Sequence, residues 1–345
     1  MKKLSILTLC LLALSCTCNR NSGEPDLTVA IPDTTARRIL TEELSAGVPW
    51  DLPVHLGMAS LMEVRTGRLI ASVVLTPEGE AADSLGLPSK PMLYPASLAQ
   101  AATLMHFMKK DPKILDRPVP TRHGEIKGLP LRDEGIADYE RTSGRDAITP
   151  REGFLMSSSY VVSRLALDQT GSQGNKGLMV DLQRYWGLDK ENGLPSADDK
   201  LMFRMTASGK LGCLSQQQVL RFYNAIAAGG TLSAEGPEKR LCSQAVADTL
   251  RALLAQNITS GTNRLMAGQG VSVAGKTGTA YIKPGMQILG TLTPAEEGKL
   301  LHSTFAGFFP TENPKYTLVI TIVYDSGTTA YVIPGNIATN VIKRI

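Results

Sequence analysis

The sequence is poor in aromatic residues (5%), in histidine (4) and in cysteine (5), and it contains no long apolar run. Without roughly 20 consecutive apolar residues, the mature chain offers no membrane-spanning helix. His55, His106, His123 and His302 are scattered, and no Cys/His spacing suggests zinc, so neither a metal nor another cofactor is expected. Charge of either sign is also scarce in excess: the net charge is +4, with no basic block beyond Lys109-Lys110. Nucleic-acid binding shows a clustered basic patch, and none is present. What the chain does have is an ordinary globular composition, 43% apolar and 20% charged with 32 Gly and 20 Pro, which excludes disordered, collagenous and coiled-coil chains. Its 345 residues suit one large domain or two ordinary ones.

Met1-Lys2-Lys3 is basic and Leu4 to Leu14 is almost wholly apolar. That is the n-region and h-region of a secretory signal, too short to span a membrane stably. The following Ala13-Leu14-Ser15-Cys16 resembles a bacterial lipoprotein signal, which implies lipidation at Cys16 after loss of residues 1–15. Cys18 is the less fitting acceptor, and a plain secreted protein is the alternative. Residues 16–45 then form a tether from the lipid anchor, and a single domain occupies 46–345. Only Cys213 and Cys242 fall in the folded part. Export permits a disulfide between them, but sequence does not show that they meet.

Two hairpins are expected. Met58 to Val64 and Leu69 to Leu75 flank a turn at Gly67; Thr304 to Phe309 and Tyr316 to Val323 flank Pro310 to Lys315. Between them lie helices. Apolar residues at 98, 101, 102, 105 and 108 recur at helical spacing, and Asp111-Pro112 ends that run. Thr149-Pro-Arg-Glu152 and Ser215-Gln-Gln-Gln218 have capping-box spacing, and Gly229-Gly230 stops the helix that Ser215 opens. A last helix is expected beyond Pro334-Gly335, with Ile337, Val341 and Ile342 on one face. Residues 112–148 read as a loop-rich insertion. Strands at both ends with helices between them imply an α+β fold, with an antiparallel sheet that joins the N- and C-terminal strands and packs between helices.

The strongest chemical signal is Val273-Ala-Gly-Lys276-Thr277-Gly278-Thr279-Ala280. A strand edge offers backbone N–H groups, the lysine supplies positive charge for a carboxylate, and the threonine hydroxyls orient it. Gly278 lets a nucleophile and its acyl group approach the backbone. Lys-Thr-Gly is the third motif of penicillin-recognising serine enzymes. Together with Val64 to Ala71, Ser208 to Gly212, Ala227 to Gly230 and Phe305 to Tyr316, it makes residues 45–345 resemble the transpeptidase domain of class B penicillin-binding proteins.

The resemblance implies a β-lactamase-like fold, a peptidoglycan stem peptide or a β-lactam as ligand, and a place in the bacterial cell envelope outside the cytoplasm. Other cell-wall synthesis proteins are the implied partners, beside the membrane through the lipid anchor. It implies that Ser97, in Leu93-Tyr-Pro-Ala-Ser97-Leu-Ala-Gln100, stands at the nucleophile position, and that Lys276, Thr277 and Thr279 bind a terminal carboxylate. The backbone N–H groups of Ser97 and Thr279 would hold the oxyanion. Two departures stand out. The lysine three residues after the nucleophile, which activates it, is Gln100, and no Ser-x-x-Lys occurs elsewhere. In the second motif, Ser-x-Asn, the serine falls on Ser158 and the asparagine on Tyr160. An amide takes no proton near neutral pH, and a phenol of pKa about 10 is a poor base. The expectation is therefore a transpeptidase-like domain with acyl transfer impaired or lost. A non-catalytic envelope-binding protein is the alternative; a β-lactamase fits less well, because it needs the same lysine.

Overall fold

The two hairpins meet. In the computed structural model, which describes residues 32–81, 86–121, 145–169, 174–188, 209, 212–235, 239–282 and 299–345, β1 (Val54–Glu63) and β2 (Leu69–Thr76) form the first, and β7 (Leu300–Phe309) and β8 (Tyr316–Asp325) the second. β1 pairs antiparallel with β8, Ala59 opposite Ile320, which joins the two ends of the chain in one sheet. With β3 (Gly79–Glu80) and β6 (Ala274–Tyr281) the strand order is β3-β2-β1-β8-β7-β6, so β6 is an edge strand. β4 (Val119–Pro120) and β5 (Ala147–Ile148) make a separate two-stranded ribbon.

Residue alternation along the strands divides the core. On one face, Phe305, Leu318, Ile320 and Ile322 pack with α1 (Asp33–Gly47) and the C-terminal helix Ile333–Arg344. Asp33–Gly47 is a helix of the domain, because Ala36, Ile39, Leu40 and Leu44 recur at helical spacing and are buried against the sheet. Residues 1–31, on which the readings of a signal and of lipidation at Cys16 fall, lie outside the described residues.

On the other face, Ala306, Phe308 and Val319 meet a large helical cluster. Its centre is α2 (Ala99–Lys110), whose residues 99–108 are all buried, so the apolar stripe read from the sequence is one side of a helix enclosed all round. Around it lie α3 (Pro150–Leu155), α4 (Ser159–Gln169), α5 (Gly174–Trp186), α6 (Gln216–Ala227) and α7 (Gln244–Ser260), and the C-terminal helix becomes α8. Both capping boxes are present: the Thr149 and Ser215 hydroxyls accept from the N–H of Glu152 and Gln218, and those side chains bond back to the cap N–H groups. Much of the expected insertion, residues 122–144, lies outside the described residues. Cys213 and Cys242 are free thiols, and burial raises the pKa of Cys242 to about 11.

Candidate active site

A short 3-10 turn, Ala96–Leu98, leads into α2 and carries Ser97 at its centre. Its backbone is held from several sides. Ala96 has φ +49 and donates its N–H to the Gly209 carbonyl at 2.8 Å. Gly209 lies so close that a Cβ there would sit 1.9 Å from the Ala96 oxygen, and its own φ of +82 also requires glycine. The Tyr223 hydroxyl donates to the Leu98 carbonyl at 3.2 Å. His302 on β7 donates from Nε2 to the Tyr94 carbonyl at 2.9 Å and accepts from the Thr304 hydroxyl at Nδ1. Burial lowers the pKa of His302 to about 4, so the imidazole is neutral, as that pair of bonds requires.

The edge strand β6 passes directly against this turn. A Cβ on Gly278 would lie 3.1 Å from both Leu98 Cγ and the Pro95 oxygen. The lysine-containing motif and the Ser97 turn are thus brought together, with Ser97 partly accessible. Lys276 is fully buried; its ammonium donates to the Ser157 hydroxyl and, at 3.3 Å, to the Thr277 carbonyl, and it stands 5.6 Å from the centroid of the Phe154 ring. The Thr277 hydroxyl donates to Asn263 Oδ1 at 2.7 Å, and that of Thr279 pairs with Ser303 at 2.8 Å.

In the turn between α3 and α4, the serine that meets Lys276 is Ser157 and not the Ser158 named from the sequence. Ser158 does not reach Lys276: it is buried, and its hydroxyl accepts from the Val161 N–H at 3.2 Å as a cap of α4. Tyr160 is buried in the helical core with Phe154, Val161 and Leu165. The side chain that meets the lysine is Ser157, which is turned there by a left-handed backbone, φ +60. Counting from Ser157, the third place of Ser-x-Asn falls on Ser159. In a run of three serines, spacing alone does not choose the register, and the choice comes from the turn between α3 and α4. The signal that could have found it is that Tyr160 and Val161 begin an apolar face, which draws Tyr160 inward.

Gln100 lies in the first turn of α2, three residues after Ser97, and is fully buried. Among the described residues, neither its Oε1 nor its Nε2 has a hydrogen-bond partner. Among the described residues there is no cluster of His, Cys, Asp or Glu able to hold a metal ion.

A serine at the head of a buried helix, a lysine on the facing edge strand and a serine hydroxyl between two helices define the class of serine acyl-transfer domains that resemble β-lactamases. The family model for the penicillin binding protein transpeptidase domain matches residues 119–343, and the chain belongs to that family. Solved structures agree on the fold. The transpeptidase domain of the FtsI4 D,D-transpeptidase from Legionella pneumophila is 18% identical, with a TM-score of 0.62, covering 89% of this chain and 96% of that one. The corresponding domain of Burkholderia pseudomallei penicillin-binding protein 3 is 19% identical, with a TM-score of 0.66 and coverage of 90% and 92%. A peptidoglycan glycosyltransferase from Burkholderia ambifaria is 18% identical, with a TM-score of 0.68 and coverage of 90% and 94%. No curated protein matches the chain.

Proposed function

We propose that the cleft between Ser97 and β6 binds peptidoglycan stem peptides and β-lactams in the bacterial envelope, and that acylation of Ser97 is severely slowed. The observation that carries this reading is Gln100. It occupies the place from which an amine would take the serine proton, it is sealed from solvent, and it offers only an amide. The Lys276 ammonium on the facing strand is engaged by Ser157 and the Thr277 carbonyl. Loss of a general base typically costs roughly 10²–10⁴ in rate. The carboxylate-binding side of the cleft, Lys276-Thr277-Gly278-Thr279, is retained, which supports a domain that holds its ligand without efficient covalent turnover. The N-terminal lipoprotein-like signal supports anchoring through Cys16, with the domain outside the cytoplasm.

The experiment is mass spectrometry of the purified chain after incubation with benzylpenicillin, beside an equilibrium measurement with the same compound. Reversible binding with little or no adduct is expected. A rapid stoichiometric adduct on Ser97 would overturn the impaired reading, and absence of any binding would overturn the ligand assignment.

A further inference from the structure

Hydrogen-bonding side chains form a line across the sheet that ends on the segment leading into the Ser97 turn. Thr304, Thr321 and Met58 stand opposite one another on β7, β8 and β1. Gln216, the first residue of α6, bridges the far end. Its Nε2 donates to the Met58 carbonyl at 3.2 Å and to the Thr321 hydroxyl at 3.1 Å, while its Oε1 accepts from the Ser60 hydroxyl at 2.8 Å. Thr321 Oγ1 lies 3.0 Å from Thr304 Oγ1, which lies 3.0 Å from Nδ1 of His302. Nε2 of His302 meets the carbonyl of Tyr94, shortly before Ser97 in the chain, at 2.9 Å. Gln216, Thr321, Thr304 and His302 are all buried.

Both ends of the line fix its protons, because the Met58 and Tyr94 carbonyls only accept. The Gln216 amide must turn its nitrogen to Met58, and its second N–H then goes to Thr321. Thr321 passes its own proton to Thr304, the other side chain it meets among the described residues, and Thr304 passes its proton to Nδ1 of His302. From the opposite end, the Tyr94 carbonyl requires the imidazole proton on Nε2. The two ends agree, and every donor in the line has an acceptor. A proton on Nδ1 would force both threonines to reverse and leave the Thr321 proton without an acceptor. An unpaired buried donor is strongly disfavoured.

We infer that Gln216, Thr321 and Thr304 are positioning residues for Ser97: from α6 and the middle of the sheet they lock the His302 imidazole, and through it the Tyr94 carbonyl from which the Ser97 turn starts. The inference rests on Ser97 lining the ligand cleft as proposed above. An imidazole bonded at one nitrogen can still swing about its side-chain torsions, whereas one bonded at both is held in place. The hold matters because misplacing a reacting group by about 1 Å can cost about 10²-fold in rate.

The test is NMR of the purified full-length chain labelled with ¹⁵N-histidine, with Thr321→Val and Gln216→Met as variants. Thr317→Val is the control, since it removes an equally buried β8 hydroxyl that bonds Asn224 at 2.9 Å instead of joining the line. The unmodified chain should show His302 as the neutral Nε2–H tautomer at pH 7, and the Nδ1–H tautomer refutes the line without any variant. Thr321→Val and Gln216→Met should each raise the pH at which His302 protonates by about one unit, because reversal of the line then opposes no fixed donor. Thr321→Ser, which keeps the hydroxyl, and Thr317→Val should leave it unmoved. The same two variants should quicken amide exchange at Ala96 and Leu98, on either side of Ser97, and weaken benzylpenicillin binding, each by about threefold or more, the range of one weakened hydrogen bond. A His302 titration that stays put in Thr321→Val, a titration that moves while exchange at Ala96 and Leu98 does not, or an equal response in Thr317→Val overturns the inference. If the unmodified chain binds no benzylpenicillin, the ligand reading of the cleft falls, and the His302 titration and the exchange at Ala96 and Leu98 still decide the positioning.

Discussion

Replacing Gln100 with lysine should recover acylation. The site is enclosed, and among the described residues the native amide finds no partner for its donor or its acceptor, a cost of about 1–3 kcal/mol for each such group. A lysine places its amine one helical turn from the Ser97 hydroxyl. There, desolvation favours its neutral form, which is the form that accepts a proton. Restoring a general base should raise the acylation rate by about 10²–10⁴. The assay is the time course of the benzylpenicillin adduct on Gln100→Lys, followed by mass spectrometry with Ser97→Ala as the negative control. The register of the second motif adds a further step. Ser159→Asn in the Gln100→Lys background should increase the rate again, whereas Tyr160→Asn should empty a core position and cost about 3–5 kcal/mol, as large-to-small changes at buried aromatics do. A folded Gln100→Lys protein that acylates no faster than the unmodified chain would refute the argument that the missing amine is what limits the chemistry.

Ser157→Ala should weaken β-lactam binding and destabilise the protein by about 1–3 kcal/mol, because it removes an acceptor from the buried Lys276 ammonium; Ser158→Ala should cost about 1 kcal/mol, the value of a helix cap, and leave binding nearly unchanged. Chemical denaturation and ligand titration separate the two. The depressed pKa of His302 predicts a pH dependence: between about 4 and 6.5 the unfolded chain binds a proton that the folded chain refuses, so stability rises with pH across that window, by ~3 kcal/mol in all. His302→Gln should flatten that part of the curve in denaturation series at successive pH values, and an unchanged slope would show that another group is responsible. Labelled fatty acid should enter the full-length chain in a bacterial host and be lost in Cys16→Ala; label that survives the change moves the anchor to Cys18.

The order of elements was legible in the sequence because local chemistry sets it. Thr149 and Ser215 cap their own helices, Gly229-Gly230 stops one of them, and the runs 304–309 and 316–323, rich in aromatic and β-branched residues and bounded by the turn Pro310 to Lys315, specify strands. Lys276-Thr-Gly-Thr279 was legible for the same reason, as a run of residue types whose chemistry needs no distant partner to be noticed. The lysine absent at Gln100 was equally plain. What only the tertiary structure decided is which groups meet across the chain. The choice of Ser157 over Ser158 depends on a left-handed turn that aims a side chain at Lys276, 119 residues away. The inclusion of Asp33–Gly47 in the domain depends on the apolar face that α8 and the sheet offer it. The cluster of the Thr279, Ser303 and Tyr324 hydroxyls exists because β6, β7 and β8 are registered side by side. Spacing along a chain reports local geometry, whereas the partner of a buried polar group is one that only packing brings within hydrogen-bonding distance.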